Sequence, residues 1–402
     1  MLSSISSRHR PAAPSLAPSL VINRIRGSAI RDLLKVIEQP DVLSLAGGLP
    51  ATELIPAARI AEAAQRVIVD GASLQYTTSK GAHACRESIG RFVAAHPDQI
   101  LVTHGSQQAL SMLAIALVDP GETVVVDDPV YVGALQAFQA AGADIVAVPI
   151  ADDGVDTAAL AKLLADGLRP RIVHTVSNFH NPSGASATAR VRGDLADLAE
   201  RYGFWIIDDD PYGHLRFRGE PIAPIPGDRV IRLGSVSKIL APALRVGWMQ
   251  APAALIDMVE RLKQSADLCG STLNQLMVAG LLDDTDWLGG HIDTLVHHYG
   301  RRAGALGSAL ATHLGPTAEY TAPDGGMFCW LRLPGIDTTA LLPHALDEGV
   351  AFVPGSAFAV TADLSEYVRL SFATLAPELL DEAVRRLTAA VDRSIRASAL
   401  RR

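Results

Sequence analysis

The feature that most constrains the fold is an alternation of apolar and helical segments between residues 100 and 250. Short runs rich in β-branched residues alternate there with Ala- and Leu-rich segments of helical length. The runs lack polar alternation, which predicts strands that are buried on both faces. We therefore predict a mostly parallel sheet covered by helices, an α/β fold. Its strands are expected at 100–103, 123–127, 145–149, 171–176, 204–208, 230–233 and 246–249.

The pattern on either side of this region predicts a second, smaller unit. Upstream we predict a helix at 28–38, a strand in 43–50 that runs into a Gly-Gly turn, and helices at about 57–70 and 83–95. Downstream, a helical stretch over 252–313, broken near 268–272, precedes short strands at 327–333, 350–353 and 367–372. We expect an N-terminal arm and helix (1–50, with 1–20 disordered) that joins the small domain, a large domain (51–295) and a C-terminal small domain (296–402).

Composition excludes several classes of function. The 402-residue chain has a formal net charge of −8 and no block of like charges, which argues against a nucleic-acid or anionic-membrane surface. No apolar run reaches bilayer-spanning length. The three cysteines are widely spaced, odd in number and without metal-ligand spacing, so a reducing, cytoplasmic environment is expected.

The first 31 residues contain no acidic residue but several Ser and Arg, which is compatible with a transit peptide. Pro11, Pro14 and Pro18 would break an amphipathic helix, however, and no continuous apolar region of a secretion signal is present. An arm-like N-terminus is therefore the expectation.

Lys238 stands out because the chain contains only five lysines. It follows a predicted buried strand and is preceded by Ser235 and Ser237. Burial lowers the pKa of an amine, and a neutral amine can attack an aldehyde to form a Schiff base. The two hydroxyls and the nearby Arg245 could hold a phosphate. An aldehyde that carries a phosphate is pyridoxal phosphate, although this segment alone is also compatible with a solvated lysine.

Other loops that follow predicted strands carry polar or aromatic residues. Ligands of such sheets bind at the carboxyl ends of the strands. Gly105 allows a tight turn, so that the amides of Ser106 and Gln107 could bind an anion at a helix N-terminus. Tyr131 could stack on a planar ring or simply pack at a helix start.

The next two loops contain Asn181, which precedes a proline, and three consecutive acids, 208–210. The amide of Asn181 can donate to a phenolate oxygen. Asp209 and Tyr212 have the spacing to reach a protonated pyridine nitrogen and the adjacent ring hydroxyl. Metal binding is the competing interpretation of the three acids, because oxygen ligands suit magnesium or calcium.

Taken in order, these motifs resemble the fold-type I pyridoxal-phosphate aminotransferases, and more narrowly their 2-aminoadipate/kynurenine aminotransferase branch. The similarity runs from about residue 24 to 390. It is carried by Leu45-Ala-Gly-Gly-Leu-Pro50, Leu74-Gln-Tyr-Thr-Thr, Thr103-His-Gly-Ser-Gln-Gln-Ala109, Asn181-Pro-Ser-Gly184, Ser235-Val-Ser-Lys238, Leu244-Arg-Val-Gly247, Gly325-Gly-Met-Phe328, Phe352-Val-Pro-Gly355 and Val368-Arg-Leu-Ser-Phe372.

The resemblance implies a cofactor, pyridoxal 5′-phosphate, and a role for each matching residue. Lys238 would form the Schiff base, Asp209 would pair with the pyridinium, Asn181 and Tyr212 would bind the ring oxygen, and Tyr131 would stack on the ring. The phosphate would be held by Ser106, Gln107, Ser235, Ser237 and Arg245. Tyr76 would reach the phosphate of the partner subunit in a homodimer.

The resemblance also implies how substrates bind. Arg369 would clamp the α-carboxylate, assisted by the Gly48 backbone and Asn181. Arg31 matches a position that reads a distal acidic group, although Arg24 and Arg26 lie nearby and Arg31 could equally be a solvated helix residue. Ser183 departs from the family's usual Thr. His180 could contact substrate or cap its loop.

The activity implied is reversible transfer of an amino group between an L-amino acid and a 2-oxo acid, in amino-acid metabolism or biosynthesis. Glutamate and 2-oxoglutarate are the expected pair on one side. Elimination, decarboxylation or oxidation on the same fold is the nearest alternative. An effector domain of a transcription factor is a further one, but the stretch before the match is too short for the winged helix-turn-helix expected there. A non-catalytic oxo-acid- or metal-binding protein is the last.

Overall fold

The computed structural model describes residues 17–25, 41–69 and 71–399. The expected helix at 28–38 and Arg31 lie outside the described residues, as do residues 1–16. Among the described residues, every helix is too short or too polar to cross a bilayer.

A large mixed sheet of eight strands dominates the fold, and its order is β2-β9-β8-β7-β6-β3-β4-β5. The neighbours from β8 through β4 pair in parallel, whereas β9 pairs antiparallel with both β2 and β8. This sheet confirms the α/β class. The strands are β2 (Ile100–Thr103), β3 (Thr123–Asp128), β4 (Asp144–Ala151), β5 (Gly154–Val155), β6 (Ile172–Thr175), β7 (Trp205–Asp209), β8 (Val230–Ser235) and β9 (Gly247–Gln250).

Helices cover the sheet because the strands between them are apolar on both faces. One layer packs α4, α5 and α8 against Ile207, Ile231 and their neighbours, and the other packs α6 and α7 against Val173 and Ile206. The helices are α1 (Leu20–Arg24), α2 (Ala57–Ile68), α3 (His83–Val93), α4 (Ser106–Leu117), α5 (Val132–Ala141), α6 (Thr157–Ala165), α7 (Ala189–Tyr202), α8 (Ala253–Ala266), α9 (Thr272–Asp283), α10 (Thr285–His313), α11 (Thr338–Asp347) and α12 (Pro377–Ala399).

Two small sheets complete the fold. An antiparallel sheet of order β10-β11-β14-β13 consists of Glu319–Tyr320, Phe328–Arg332, Tyr367–Ser371 and Val353–Pro354. A parallel pair joins β1 (Leu43–Ser44) to β12 (Val350–Ala351), so the N-terminal segment lies against the C-terminal third. The expected boundary at 295/296 falls inside α10, and the domain limits stay a prediction.

The helical stretch over 252–313 has two breaks. The gap between α8 and α9 lies at the expected position. The second break, at Asp284, was not predicted: its side chain accepts from the backbone N–H of Trp287 and starts α10. Two-residue strands such as β5 and β10 were also missed.

Candidate active site

The carboxyl ends of the central strands surround a cavity of about 250 Å³. Gly48 of the N-terminal segment lines it together with residues from several strand ends. The expected cofactor residues found there are Ser106, Gln107, Tyr131, Asn181, Asp209, Tyr212, Ser235, Ser237, Lys238 and Arg245. A larger cavity of about 860 Å³ beside α10 contains none of them, so size alone does not identify the site.

One end of this cavity is suited to an anion. Gly105, at a φ of +77°, precedes the first turn of α4, so the free amides of that turn point toward the cavity. The guanidinium of Arg245 lies so close that a Cβ on Gly105 would be 3.0 Å from its Nη2. Ser235 Oγ donates to Ser237 Oγ over 2.7 Å. Helix amides, two hydroxyls and a guanidinium together form a phosphate cradle.

Lys238 is a half-buried amine at the centre of the site. Its Nζ donates to the carbonyl oxygen of Gly48 over 2.8 Å. Burial, and to a lesser degree the positive charge of Arg369, lowers the pKa of Lys238 to about 8. A neutral, nucleophilic amine is therefore accessible near physiological pH.

The three consecutive acids have different environments. Asp210 accepts from Asn178 Nδ2 over 2.7 Å and from the backbone of Gly213 over 2.8 Å. Burial, reinforced by Asp210, raises the pKa of Asp208 to about 6. Of the three, only Asp209 lines the cavity. Its Oδ1 is buried and has no hydrogen-bond partner among the described residues.

Two tyrosines flank the middle of the cavity. Tyr131 Oη donates to Gln107 Oε1 over 3.3 Å, and the amide of Gln107 donates to the Gly133 carbonyl. Burial raises the pKa of both Tyr131 and Tyr212, so each keeps its proton. Such neutral phenols can donate hydrogen bonds to a ring oxygen or stack against an aromatic ring.

Arg369 is a buried cation beside the cavity, 3% exposed. Its two terminal nitrogens donate to Asn181 Oδ1 over 2.7 Å and to the carbonyl of Ala46 over 2.6 Å. The guanidinium lies over the rings of Phe328 and Phe358, 4.3 and 5.0 Å from their centroids. Burial lowers its pKa to about 10. Within the described residues both recorded acceptors are neutral oxygens, so this arginine is suited to bind an anionic carboxylate.

The remaining expected residues lie elsewhere. Tyr76 is 78% exposed and does not line the cavity of its own chain. His180 is buried away from the cavity, with Nδ1 2.9 Å from Ser183 Oγ and accepting from the Ser183 amide. Of the two roles considered for His180, this geometry is that of a loop cap. Arg24, a rival of Arg31, lies against Gly142 at the far end of α5 from Tyr131.

Sequence reasoning missed three features of the site. It gave the Gly48 backbone a role toward substrate but did not predict its contact with Lys238. It assigned no role to Phe328, although the motif that contains it was noticed. Phe358 carried no signal, because nothing in a local pattern shows which aromatic ring lies under an arginine.

Comparison with known proteins decides the family. The model of the aminotransferase class I and II family matches residues 40–387. This chain belongs to that family. An aromatic-amino-acid aminotransferase from Thermococcus litoralis is 39% identical over 90% of the chain and 91% of its own length. A 2-aminoadipate transaminase from Thermus thermophilus is 37% identical over 90% and 94%.

A solved structure agrees with these relatives. The α-aminoadipate aminotransferase from Thermus thermophilus, complexed with N-(5′-phosphopyridoxyl)-L-leucine, superimposes with a TM-score of 0.88. It is 34% identical, and the match covers 94% of this chain and 98% of that one. The aminotransferase described here is therefore a transaminase of fold type I that depends on pyridoxal phosphate. Elimination, decarboxylation and oxidation are not favoured by these comparisons.

The cavity of this aminotransferase fits its cofactor on physical grounds. The anion cradle suits the phosphate, and the amine of Lys238, with its lowered pKa, suits the aldehyde. The unpartnered Oδ1 of Asp209 suits a protonated ring nitrogen, because a buried carboxylate oxygen without a donor is unfavourable.

Proposed function

We propose that this aminotransferase exchanges the amino group of an L-amino acid with a 2-oxo acid, with glutamate and 2-oxoglutarate as one pair. The observation that carries the proposal is that Lys238 and Arg369 both lie against the same backbone segment. One supplies an amine of lowered pKa and the other a cation without an anionic partner among the described residues, and both contact backbone carbonyls of the same segment, 46–48.

Five of the cavity residues would hold the cofactor phosphate: Ser106, Gln107, Ser235, Ser237 and Arg245. Asp209 would keep the ring nitrogen protonated, Asn181 and Tyr212 would bind the ring oxygen, and Tyr131 would stack on the ring. When bound, pyridoxal phosphate supplies an electron sink for the carbanion that forms at Cα.

The rest of the chemistry belongs to the protein's own side chains. Arg369 binds the substrate α-carboxylate and thereby orients Cα toward Lys238. The neutral Nζ of Lys238 accepts the proton from Cα and then delivers it, as general base and general acid. The lowered pKa of Lys238 suits both steps, because near pH 8 the neutral amine and the ammonium are both well populated.

Glutamate has a second, distal carboxylate, so its choice as substrate requires a residue that binds this group. The Thermus relative is named for 2-aminoadipate, which is a dicarboxylic amino acid. The cavity lining contains Arg245 in the anion cradle and no further arginine among the described residues. Arg31 is therefore our candidate for the distal carboxylate.

Substitution of Arg31 tests this choice. In Arg31→Ala we expect kcat/KM for glutamate to fall by about 10- to 100-fold, the loss of one charge-assisted contact. Activity with a neutral amino acid substrate should be unchanged. Arg24→Ala is the matched control, because Arg24 lies at Gly142. Undiminished glutamate activity in Arg31→Ala would show that another residue, or none, reads the distal group.

We also propose a homodimer in the cytoplasm. Exposed apolar side chains cluster at Leu74 and Tyr76, beside a cavity lined by residues 269–273. A partner surface would bury them, and Tyr76 would then reach the partner's phosphate cradle. All three cysteines are free thiols, which supports a reducing compartment.

A further inference from the structure

A second titratable side chain lies behind Asp209. His174 sits in the middle of β6 and is 1% exposed. Its ring packs edge to face on Phe138, with 5.9 Å between the centroids. Its Nε2 lies 3.8 Å from Asp209 Oδ2 and has no hydrogen-bond partner among the described residues.

The sheet register brings these two side chains together. His174 pairs with Ile207 of the parallel neighbour β7, and Asp209 follows two positions later. Because side chains alternate along a strand, Ile207 and Asp209 lie on the same face, which is also the face of His174. Asp209 thus has the cavity in front of it and an imidazole on its protein side.

This arrangement gives the two oxygens of Asp209 different surroundings. Oδ2 has the imidazole beside it, whereas Oδ1 has no partner. At 3.8 Å the contact is electrostatic and longer than a hydrogen bond. A buried ring nitrogen without a hydrogen-bond partner, as Nε2 of His174 is among the described residues, is unfavourable, so its presence calls for a polar role.

We propose that His174 is a positioning residue whose Nε2 proton faces Asp209 Oδ2 and holds that carboxylate, as an anion, at the cavity wall where the cofactor ring nitrogen would bind. This inference rests on the role proposed above for Asp209. A donor on one oxygen stabilises the anionic form of a carboxylate, which is the form that pairs with a protonated ring nitrogen. His174 would act on the cofactor only through Asp209.

Two substitutions separate this role from simple core packing. His174→Phe keeps an aromatic ring against Phe138 but removes the donor. His174→Gln places an amide N–H near the position of Nε2. If His174 only fills space, the Phe variant should be the better tolerated of the two. If it supports Asp209, the Gln variant should be.

The experiment measures cofactor binding to the apo-enzyme, with two probes. One is pyridoxal phosphate, and the other is its carbocyclic analogue, in which C–H replaces the ring nitrogen. In His174→Phe we expect affinity for pyridoxal phosphate to fall about tenfold, because the electrostatic contact of the imidazole with the charged carboxylate of Asp209 is lost. Affinity for the analogue should change less than about twofold, and His174→Gln should restore most of the loss.

Other outcomes would overturn the inference. Equal losses for both probes in His174→Phe, or no loss for either, would show that the imidazole does not act through the ring nitrogen. If Asp209→Ala binds pyridoxal phosphate as tightly as the unmodified enzyme, the role of Asp209 itself is wrong, which is a separate failure.

A measurement on the unmodified protein avoids dependence on how the variants fold. The nitrogen chemical shifts of labelled histidine report which ring nitrogen carries the proton. We expect a protonated Nε2 in His174, assigned by its absence from His174→Gln. A deprotonated Nε2 would contradict the inference.

Discussion

At the scale of single residues, the surroundings of Lys238 determine how much of its amine is neutral and therefore nucleophilic. An amine of pKa about 8 is neutral in roughly a tenth of molecules at pH 7. An ordinary lysine is neutral in only about one molecule in three thousand at that pH. Burial, together with the charge of Arg369, thus increases the nucleophilic fraction of the amine by more than about two orders of magnitude.

This shift leads to a pH prediction for the apo-enzyme. Acetylation of Lys238 by acetic anhydride requires the neutral amine, so its rate should rise with pH and level off above about 8. Arg369→Leu removes a nearby positive charge that disfavours the ammonium form. The midpoint should therefore move to higher pH in this variant.

Mass spectrometry of peptides labelled at each pH measures both profiles. Lys162, an exposed lysine on α6, is the internal control, and its profile should lie at higher pH. Arg332→Leu removes a half-exposed arginine from the same small sheet as Arg369 and should leave the profile of Lys238 unchanged. A midpoint that is the same with and without Arg369 would contradict the assigned cause.

Local sequence patterns could identify some site residues but not others. Lys238 was found because lysine is scarce, and Asp209 because of its spacing to Tyr212. Phe358 lies under Arg369 because the antiparallel pairing of β13 with β14 folds the intervening turn back onto β14, and no spacing rule reports that.

At the scale of elements, the sequence located the strands well where both faces are buried. The bounds of β2, β7 and β9 lie within a residue of expectation, because their apolar runs are uninterrupted. β5 and β10 were missed because a strand of two residues is too short to show the alternation of apolar and polar side chains that identifies a strand. The break at Asp284 did have a signal, an acid followed by Thr at a helix start, which was not used.

One connection between elements offers a stability prediction. Asp128, at the end of β3, is buried and accepts from the backbone of Val360, Thr361 and Ala362 over 2.8–3.1 Å. It also accepts from the Thr361 hydroxyl. These bonds fix the segment directly after Phe358. The ring of Phe358 packs against the guanidinium of Arg369.

Asp128→Ala should therefore reduce the free energy of unfolding by about 2–4 kcal/mol, because several N–H groups would lose their acceptor. The KM for amino acids should rise as Phe358 loosens. Urea titration gives the first quantity and steady-state kinetics the second. Asp363→Ala is the control: this exposed aspartate caps Ser365 in the same segment and should cost less than about 1 kcal/mol. Equal losses in the two variants would refute the anchoring role.

At the scale of the whole molecule, the site is assembled from distant parts of the chain. Lys238 contacts Gly48, 190 positions away, and Arg369 contacts Asn181, 188 positions away. The pairing of β1 with β12 brings the N-terminal segment to the C-terminal third. The resemblance implied this convergence, but the composition and periodicity of the chain could not, because the order of strands in a sheet depends on long-range contacts.

The proposed homodimer makes a prediction about Tyr76 that a single chain cannot satisfy. We consider hybrid dimers of one Tyr76→Ala subunit and one Lys238→Ala subunit, each with its own affinity tag and purified through both. Each homodimer should be poorly active. If Tyr76 serves the partner's site, the Lys238 of one subunit receives an intact Tyr76 from the other. Every hybrid then has one complete site, so its activity should be about half that of the unmodified dimer.

The opposite geometry gives a clearly different result. If Tyr76 served its own chain's site, each site of the hybrid would lack one of the two residues, and activity would stay at the level of the homodimers. Rescue is expected because Tyr76 is 78% exposed in one chain and does not line the cavity that contains the phosphate cradle of its own chain. Rescue would establish both the dimer and the shared site in one measurement.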